Sequence, residues 1–271
     1  MGKRLDSFEG RGVLVTGASS GIGRGLAIEA GRRGARVALV ARRKDKLEEV
    51  AGEIVKAGGK AFVIEADLGD RAQATRAMAR AEEVLGAVDV AILNAGFGRH
   101  QTLVEHDLDD AERMIQVNVL GTVYCASPLA RTMASRGEGW LVFMASVAGL
   151  VPVPGEAIYA ATKFAVVGLA ESISIELEPK GVHVLTVCPG AVNTAFVPPE
   201  ELDRMPEAGR KMMIEPEEVV RATIKALEKG KNRIIVPKKL EVAVAVRGVA
   251  PSVVRSGTAR ATRSVLDRIK R

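Results

Sequence analysis

Short apolar runs rich in β-branched residues alternate along the chain with segments whose apolar residues recur at helical spacing. One such segment predicts a helix whose apolar face carries Leu47, Val50, Ala51, Ile54 and Val55. Another begins at Pro216 and predicts a helix that groups Val219, Val220, Ile224 and Leu227. The apolar runs predict seven β-strands, at residues 12–16, 36–41, 60–65, 89–93, 140–145, 183–188 and 233–236. The pattern therefore indicates repeated strand–helix units.

Consecutive strands that are separated by helices need crossover connections, and these connections produce a parallel sheet with helices on both faces. We therefore predict an α/β protein of the doubly wound, Rossmann-like type, built on a mostly parallel sheet of seven strands. In such a sheet, ligands bind at the carboxyl ends of the strands. The alternation stops near Pro237, so we expect one domain over residues 1–236 and a C-terminal extension over residues 237–271.

The composition is that of a globular protein. The chain has 271 residues, of which 47% are hydrophobic, enough for a large core and too many for a disordered chain. Two cysteines, Cys125 and Cys188, are too few for a disulfide scaffold, which favours a reducing compartment. Residues 1–10 are charged and contain no apolar run, and prolines interrupt the longest uncharged stretch, residues 139–155. We therefore expect a cytoplasmic protein without a membrane-spanning segment.

Positive charge is concentrated at the C-terminus, because the last seventeen residues carry +5 of the formal net charge of +6. No base-stacking aromatic residues accompany this charge, so we do not expect a nucleic-acid partner. The preceding apolar stretch is interrupted by Gly248 and Pro251, which predicts short amphipathic helices. Three roles stay open for the extension: covering a substrate site, contacting an anionic membrane surface or lipid, and packing on its own domain or a neighbouring subunit.

A glycine-rich loop, Thr-Gly-Ala-Ser-Ser-Gly-Ile-Gly, follows the first predicted strand over residues 16–23. Glycines permit a tight turn and let backbone N–H groups approach a pyrophosphate, while the start of the next helix adds partial positive charge. The spacing differs from the common GxGxxG fingerprint, so the position between strand and helix carries the prediction. A glycine-rich turn that binds nothing is the alternative. We expect a dinucleotide to contact Gly17, Ser19, Ser20, Gly21, Ile22 and Gly23.

The second predicted strand ends in Val40-Ala41-Arg42-Arg43, without the carboxylate that would bind the ribose of NAD. A guanidinium at this position can hold a 2′-phosphate through charge-assisted hydrogen bonds. The sequence therefore favours NADP(H), with Arg42 as the main phosphate ligand and Arg43 as the weaker candidate. The alternative for both residues is a solvated helix start.

Further motifs follow in order, and they are Leu93-Asn94-Ala95-Gly96, Gln116-Val117-Asn118-Val119, Ser146, Tyr159-Ala-Ala-Thr-Lys163 and Pro189-Gly190. Together with the strand–helix alternation and the glycine loop, they resemble the short-chain dehydrogenase/reductase family over about residues 10–236. The resemblance implies that residues 1–236 form an NADP(H)-binding catalytic domain. It also implies a homodimer or homotetramer.

The resemblance implies a catalytic set of Asn118, Ser146, Tyr159 and Lys163. Tyr159 and Lys163 are four residues apart and share a helix face, so we expect the ammonium group to lower a phenol pKa that is ordinarily about 10. Tyr159 then acts as the general acid or base, while Ser146 hydrogen-bonds the substrate oxygen. By resemblance, Asn118 supports a water-linked proton relay through Lys163.

Other positions carry over from the family as cofactor contacts. On the adenosine side they are Asp67, Leu68, Asn94, Ala95 and Gly96, and on the nicotinamide side Tyr159, Lys163, Pro189, Gly190, Val192 and Thr194. The chain departs from the family pattern at Ser20, a loop position that is often basic in NADP-preferring members. Arg24 is either a replacement for that charge or an exposed helix arginine.

The substrate is less constrained than the reaction. Residues 196–215 mix proline, charge and methionine where the family carries a mobile substrate-covering segment. With Phe97, Val151, Val153 and Phe196 near the expected mouth, a medium-sized apolar ketone, aldehyde or acyl chain fits, although core packing explains the same residues equally well.

The sequence thus predicts an NADPH-dependent oxidoreductase that reduces a carbonyl group to an alcohol, reversibly. The alternatives are a 3-oxoacyl-thioester reductase of lipid metabolism and an NADP(H)-sensing protein without turnover. The three histidines, His100, His106 and His183, fall in separate predicted elements without a cysteine pair at ligand spacing, so no metal site is predicted.

Overall fold

A computed structural model describes residues 2–196 and 210–269 of the chain. The strands are β1 (Gly12–Thr16), β2 (Arg36–Ala41), β3 (Lys60–Glu65), β4 (Val90–Leu93), β5 (Gly139–Met144), β6 (Val182–Pro189) and β7 (Arg233–Val236). They form one sheet in the order β3-β2-β1-β4-β5-β6-β7, and all neighbouring strands are parallel. The predicted seven-stranded, doubly wound fold is confirmed, with β4, β5 and β6 beginning or ending one residue from the predicted positions. The strand order reverses between β1 and β4, which opens a crevice at their carboxyl ends.

Helices cover both faces of this sheet. They are α1 (Gly21–Arg32), α2 (Lys44–Lys56), α3 (Arg71–Leu85), α4 (Leu108–Ile115), α5 (Gly121–Arg136), α6 (Ala157–Leu177), α7 (Pro216–Glu228), α8 (Leu240–Val249) and α9 (Pro251–Ile269). Helices α1, α2 and α7 pack on one face and α3, α5 and α6 on the other. Because successive strand residues point to opposite faces, Leu14 joins the core under α3, α5 and α6, whereas Val13 and Val15 join the other core.

The predicted helix faces are largely the buried ones. All four apolar residues predicted for α7 are buried, and α2 buries Leu47, Val50 and Ile54. The prediction for Val55 is wrong, because its side chain is 59% exposed. Val55 lies one residue, or about 100° around the helix, beyond Ile54, which turns it away from the sheet.

Between α4 and α5, the chain makes one π-helical turn at Gln116–Leu120. Turns of this kind contain an extra residue and are frequent at functional sites. This turn carries Asn118, which is completely buried.

The extension forms two helices that are separated at Ala250, beside the predicted interruption at Pro251, whereas Gly248 lies within α8. Pro251 begins α9, because the first turn has no use for the N–H that proline lacks. In α8, Leu240 and Val244 pack against the core under α3, α5 and α6. Arg247 donates a hydrogen bond to the carbonyl oxygen of Leu150 and lies over the Phe164 ring, 4.8 Å from its centroid. Helix α8 therefore packs on its own domain, one of the three roles left open.

Among the described residues, one helical stretch, Ala157–Lys180, is long and apolar enough to cross a membrane by length and composition alone. Core helices of soluble proteins pass the same test. This stretch contains α6, whose residues Val166, Val167 and Ala170 belong to the core of the sheet. Packing inside the fold thus accounts for part of its apolar character, since these three residues are buried.

Candidate active site

The glycine-rich loop connects β1 to α1 and lies against the end of β4. Gly17 has a φ of +64°, and a Cβ there would lie 2.8 Å from Asn94 Nδ2 and 2.9 Å from Ala95 Cα. A Cβ at Gly23 would lie 2.4 Å from the carbonyl oxygen of Gly17. Asn94 Nδ2 in turn donates to the carbonyl oxygens of Thr16, at 3.1 Å, and Gly17, at 3.3 Å. The loop is therefore held tightly against β4, with a conformation that only glycine adopts without strain at Gly17.

A cavity of about 670 Å³ extends from this loop along the carboxyl ends of the strands to α6. Its walls include every predicted cofactor residue except Gly23, which packs behind the loop. No side-chain hydrogen bond caps α1 at Ser20, so the helix N-terminus is suited to an anion. The glycine cradle and this helix start fit the pyrophosphate of a dinucleotide.

Two guanidinium groups lie at the loop end of the cavity. Arg42 and Arg43 both line it, and Arg43 Nη2 donates to Ser19 Oγ at 3.0 Å and to Ser20 Oγ at 3.1 Å. Arg43 is thus tied to the glycine loop, a contact that the sequence analysis did not predict. Arg24 does not replace the missing loop charge, because its Nη2 lies 2.6 Å from Glu53 Oε1, outside the cavity wall.

Asp67, at the end of β3, lines the same cavity and is held by a residue that the sequence did not single out. Arg113 Nη2, from α4, donates to Asp67 Oδ1 at 2.6 Å and also contacts Oδ2, while the Gly69 amide donates to Oδ1 at 2.9 Å. Burial raises the pKa of Asp67, but the hydrogen bonds from Arg113 and Gly69 outweigh it and lower the pKa overall. Asp67 is therefore a fixed carboxylate.

Ser146, Tyr159 and Lys163 converge at the opposite end of the cavity. Ser146 follows β5, while Tyr159 and Lys163 lie in the first turns of α6 on one face, as predicted. Ser146 Oγ donates to the carbonyl oxygen of Pro189 at 3.3 Å and accepts from the Ala148 amide at 3.1 Å. Lys163 Nζ donates to the carbonyl oxygen of Met144 at 2.9 Å and lies 5.6 Å from the centroid of the Tyr159 ring.

Burial dominates the titration of this group. It raises the pKa of Tyr159 well above 10, the Glu156 charge raises it further, and the neighbouring Ser146 hydroxyl only partly opposes them. The expected lowering of the Tyr159 pKa by Lys163 is therefore wrong for this structure. The same burial lowers the pKa of Lys163 to about 8, which weakens its ammonium character.

Asn118 lies behind the cavity and is not part of its wall. Its Oδ1 accepts from the Phe97 amide at 3.0 Å, and its Nδ2 donates to the Phe97 carbonyl oxygen at 2.8 Å and to Thr162 Oγ1 at 3.0 Å. The side chain thus joins the segment after β4 to α6, on which Tyr159 and Lys163 lie. Its contacts are those of a positioning residue.

The cavity beyond Tyr159 is mainly apolar. The rings of Tyr159 and Phe196 pack edge to face with centroids 5.4 Å apart. Of the four apolar residues expected at the mouth, Val151 is absent from the wall and packs against the core. Residues 197–209 of the predicted covering segment lie outside the described residues. The apolar side chains that line this end are Phe97, Val153, Phe196, Met212, Met213 and Leu240.

His100 and Glu156, two polar residues of this wall, were not identified as site residues from the sequence. His100 Nδ1 lies 2.7 Å from Glu156 Oε1, and both side chains line the cavity. Glu156 precedes Tyr159 by three residues, so helical spacing was an available signal for it. No local pattern marks His100, since only the fold brings its loop to α6.

The cysteines and the remaining histidines take no part in the site. Burial raises the pKa of Cys125 and that of Cys188 to about 12, so both thiols stay protonated. Within residues 2–196 and 210–269, no three His, Cys, Asp or Glu side chains are grouped closely enough to hold a metal ion.

Comparisons with known proteins indicate the same family as the sequence motifs. A family model described as short chain dehydrogenase matches residues 11–204. The chain is 35% identical over 191 residues to the oxidoreductase UcpA of Salmonella typhimurium, covering 70% of this chain and 72% of that one. It is 32% identical over 220 residues to an uncharacterized oxidoreductase of Staphylococcus aureus, covering 81% and 92%. A short-chain dehydrogenase/reductase from Burkholderia phymatum, solved in complex with NAD, superposes with a TM-score of 0.83 at 26% identity, covering 92% and 96%.

The chain belongs to the short-chain dehydrogenase/reductase family. It is an oxidoreductase of a family that uses a nicotinamide cofactor and acts on small-molecule substrates. The resemblance read from the sequence motifs is thereby confirmed.

Proposed function

We propose that this protein is an NADPH-dependent oxidoreductase that reduces a ketone, aldehyde or oxoacyl carbonyl group to an alcohol, reversibly. One observation carries the proposal: Ser146, Tyr159 and Lys163 converge at one end of a cavity whose other end is a glycine loop at a helix N-terminus. Such a cavity places a bound dinucleotide between an anion site and a proton donor.

When bound, the reduced nicotinamide supplies the hydride. Tyr159 donates its phenolic proton to the substrate oxygen as negative charge develops there, and Ser146 donates a hydrogen bond to the same oxygen. Burial keeps Tyr159 protonated at neutral pH, which is the state a proton donor requires. Burial makes the phenolate that remains after proton transfer costly, and the Lys163 ammonium, whose Nζ lies 5.6 Å from the ring centroid, offsets part of that cost without bringing the Tyr159 pKa below its ordinary value.

The test is NADPH oxidation against a panel of aldehydes, ketones, sterol-like ketones and 3-oxoacyl thioesters. We expect Tyr159→Phe to lower turnover by at least about a hundredfold while NADPH still binds, because general acid catalysis contributes about 10² to 10⁴. Tyr124→Phe is the matched control, since Tyr124 packs against the core away from the cavity wall. Unchanged turnover in Tyr159→Phe would contradict the mechanism, and NADPH binding without turnover of any carbonyl would favour a sensor.

The preference for NADPH over NADH rests on Arg42 and Arg43, which line the cavity beside the glycine loop. The relative from Burkholderia phymatum was solved with NAD, so both cofactors have to be titrated against this protein. We expect tighter binding of NADPH, and we expect Arg42→Asp to reverse the order by repelling the 2′-phosphate and binding the ribose. Arg76→Asp, on the exposed side of α3, is the charge-matched control. Tighter NADH binding by the unmodified protein would overturn the assignment.

We also propose that a cytoplasmic homodimer or homotetramer forms and that the extension contacts anionic lipid. Self-association is favoured by exposed apolar side chains before and at the start of α4, where Leu103, Val104 and Leu108 are 66%, 94% and 77% exposed. Light scattering of the purified protein measures the subunit number, and a monomer would contradict this part.

A further inference from the structure

A polar pair interrupts the apolar half of the cavity. His100 and Glu156 are joined by the 2.7 Å contact between Nδ1 and Oε1, and their side chains are only 12% and 16% exposed. Both nevertheless line the cavity. A paired carboxylate and imidazole are costly to desolvate, and here the pair stands in a wall that is otherwise apolar, so it marks a polar subsite of the cavity.

The pair lies on the substrate side of Tyr159, not on the side of the glycine loop. Glu156 precedes α6 and stands three residues before Tyr159. A Cβ on Gly98, two residues before His100, would lie 3.0 Å from Tyr159 Cδ2 and 3.1 Å from Phe196 Cε1. The segment that carries His100 therefore passes over the Tyr159 and Phe196 rings.

The surroundings limit what the pair can recognise. Val153 and Phe97 pack around Tyr159 in the same small cluster, so the adjoining wall is apolar. Arg99 also lines the cavity, but its Nε donates to Asp110 Oδ2 at 2.9 Å, which balances its charge. A carboxylate accepts several hydrogen bonds, so Glu156 can bind a donor group beyond His100.

We propose that Glu156, oriented by His100, binds a hydroxyl group of the substrate, so that the enzyme prefers carbonyl compounds with a neutral hydroxyl on an otherwise apolar frame. This inference rests on the proposed carbonyl reduction. The Glu156 carboxylate, already in contact with His100 Nδ1, can accept a further hydrogen bond from a hydroxyl and repels a substrate carboxylate, while the apolar wall makes an ammonium group costly to desolvate. The low dielectric of the buried wall strengthens the hydrogen bond.

The experiment compares four carbonyl compounds of one apolar frame: unsubstituted, hydroxylated, carboxylated and amino-substituted. The readouts are the ratio of kcat/KM for each compound to that of the unsubstituted one, and the calorimetric Kd of the corresponding alcohols. We expect the unmodified protein to prefer the hydroxylated compound. Glu156→Gln should lower that preference by about tenfold, because the hydroxyl then donates to a neutral amide oxygen instead of a charged carboxylate. His100→Gln should lower it in the same direction.

Glu176→Gln, on the exposed part of α6, is the matched control and should retain the preference. Equal or better use of the unsubstituted, carboxylated or amino-substituted compound by the unmodified protein overturns the inference. An undiminished preference in both Glu156→Gln and His100→Gln overturns it as well. Absence of turnover with every carbonyl compound, despite NADPH binding, would instead be a failure of the proposed function, and the Kd values of the alcohols would still test hydroxyl recognition.

Discussion

Burial of Lys163 lowers the stability of the fold at neutral pH, although the proposed reaction uses this residue. Its side chain is 4% exposed, and burial lowers its pKa from 10.5 to about 8. A pKa lowered by burial means that the folded chain binds the proton less tightly than the unfolded chain. The ammonium form therefore costs folding free energy below about pH 8, and the cost disappears as the pH rises toward the unfolded pKa.

We predict that Lys163→Met abolishes turnover yet unfolds with a free energy about 1–2 kcal/mol higher near pH 7. The shifted pKa corresponds to about 3 kcal/mol, and loss of the hydrogen bond to Met144 offsets about 1 kcal/mol of it. Urea unfolding near pH 7 and near pH 9.5 should show the difference from the unmodified protein shrinking at the higher pH. Lys180→Met, at an exposed position after α6, should show no such pH dependence. A lower stability of Lys163→Met at every pH would contradict the prediction.

At the scale of elements, α8 completes the wall of the cavity. Leu240 lines it, and a Cβ at Gly190 would lie 2.8 Å from Leu240 Cδ1. Arg247 anchors the other part of the helix to Leu150 and Phe164. The segment from Val147 to Val153, which includes Leu150, supplies several wall residues. Helix α8 and this segment are thus held to each other.

We predict that Arg247→Ala lowers the free energy of unfolding by about 1–2 kcal/mol, since a hydrogen bond and a cation–π contact are lost together. It should also raise KM more than it lowers kcat, because the wall moves while Ser146, Tyr159 and Lys163 keep their own contacts. Chemical denaturation and steady-state kinetics measure both effects. Arg255→Ala, an exposed position in α9, serves as the control, and identical behaviour of the two variants would argue against an anchoring role.

At the scale of the whole molecule, positive charges and exposed apolar side chains occur together in the C-terminal extension. Val242, Val249 and Val253 are 67%, 86% and 60% exposed. Lys238, Lys239, Arg255, Arg260 and Arg263 flank them along the chain, with Glu241 as the one acidic residue over 238–263. Exposed apolar side chains beside cations are typical of surfaces that bind anionic lipid.

We therefore predict that the protein sediments with vesicles containing anionic phospholipid and much less with neutral vesicles. The double variant Val242→Glu/Val249→Glu should lose most of this binding, because it removes apolar area and adds repulsion. These positions leave the packing of Leu240, Val244 and Arg247 in place. Val55→Glu, at an exposed position of α2, is the control, because it makes the same kind of substitution outside the extension. Equal binding by the double variant and the unmodified protein would refute lipid contact by α8.

The sequence by itself determined the succession of strands and helices, the position of the glycine loop and the shared helix face of Tyr159 and Lys163. These features depend on local periodicity and on short spacings, such as the four residues from Tyr159 to Lys163, which a helix converts directly into a shared face. The buried faces of α2 and α7 followed for the same reason, apart from Val55.

Only the tertiary structure decided which distant groups meet. It paired Arg24 with Glu53, Asp67 with Arg113 and His100 with Glu156, all joined across long separations in the chain. It also buried Tyr159 and Lys163 deeply enough to reverse the expected direction of the tyrosine pKa. Desolvation and long-range pairing depend on what the rest of the chain places around a residue, and no local pattern of residues contains that information.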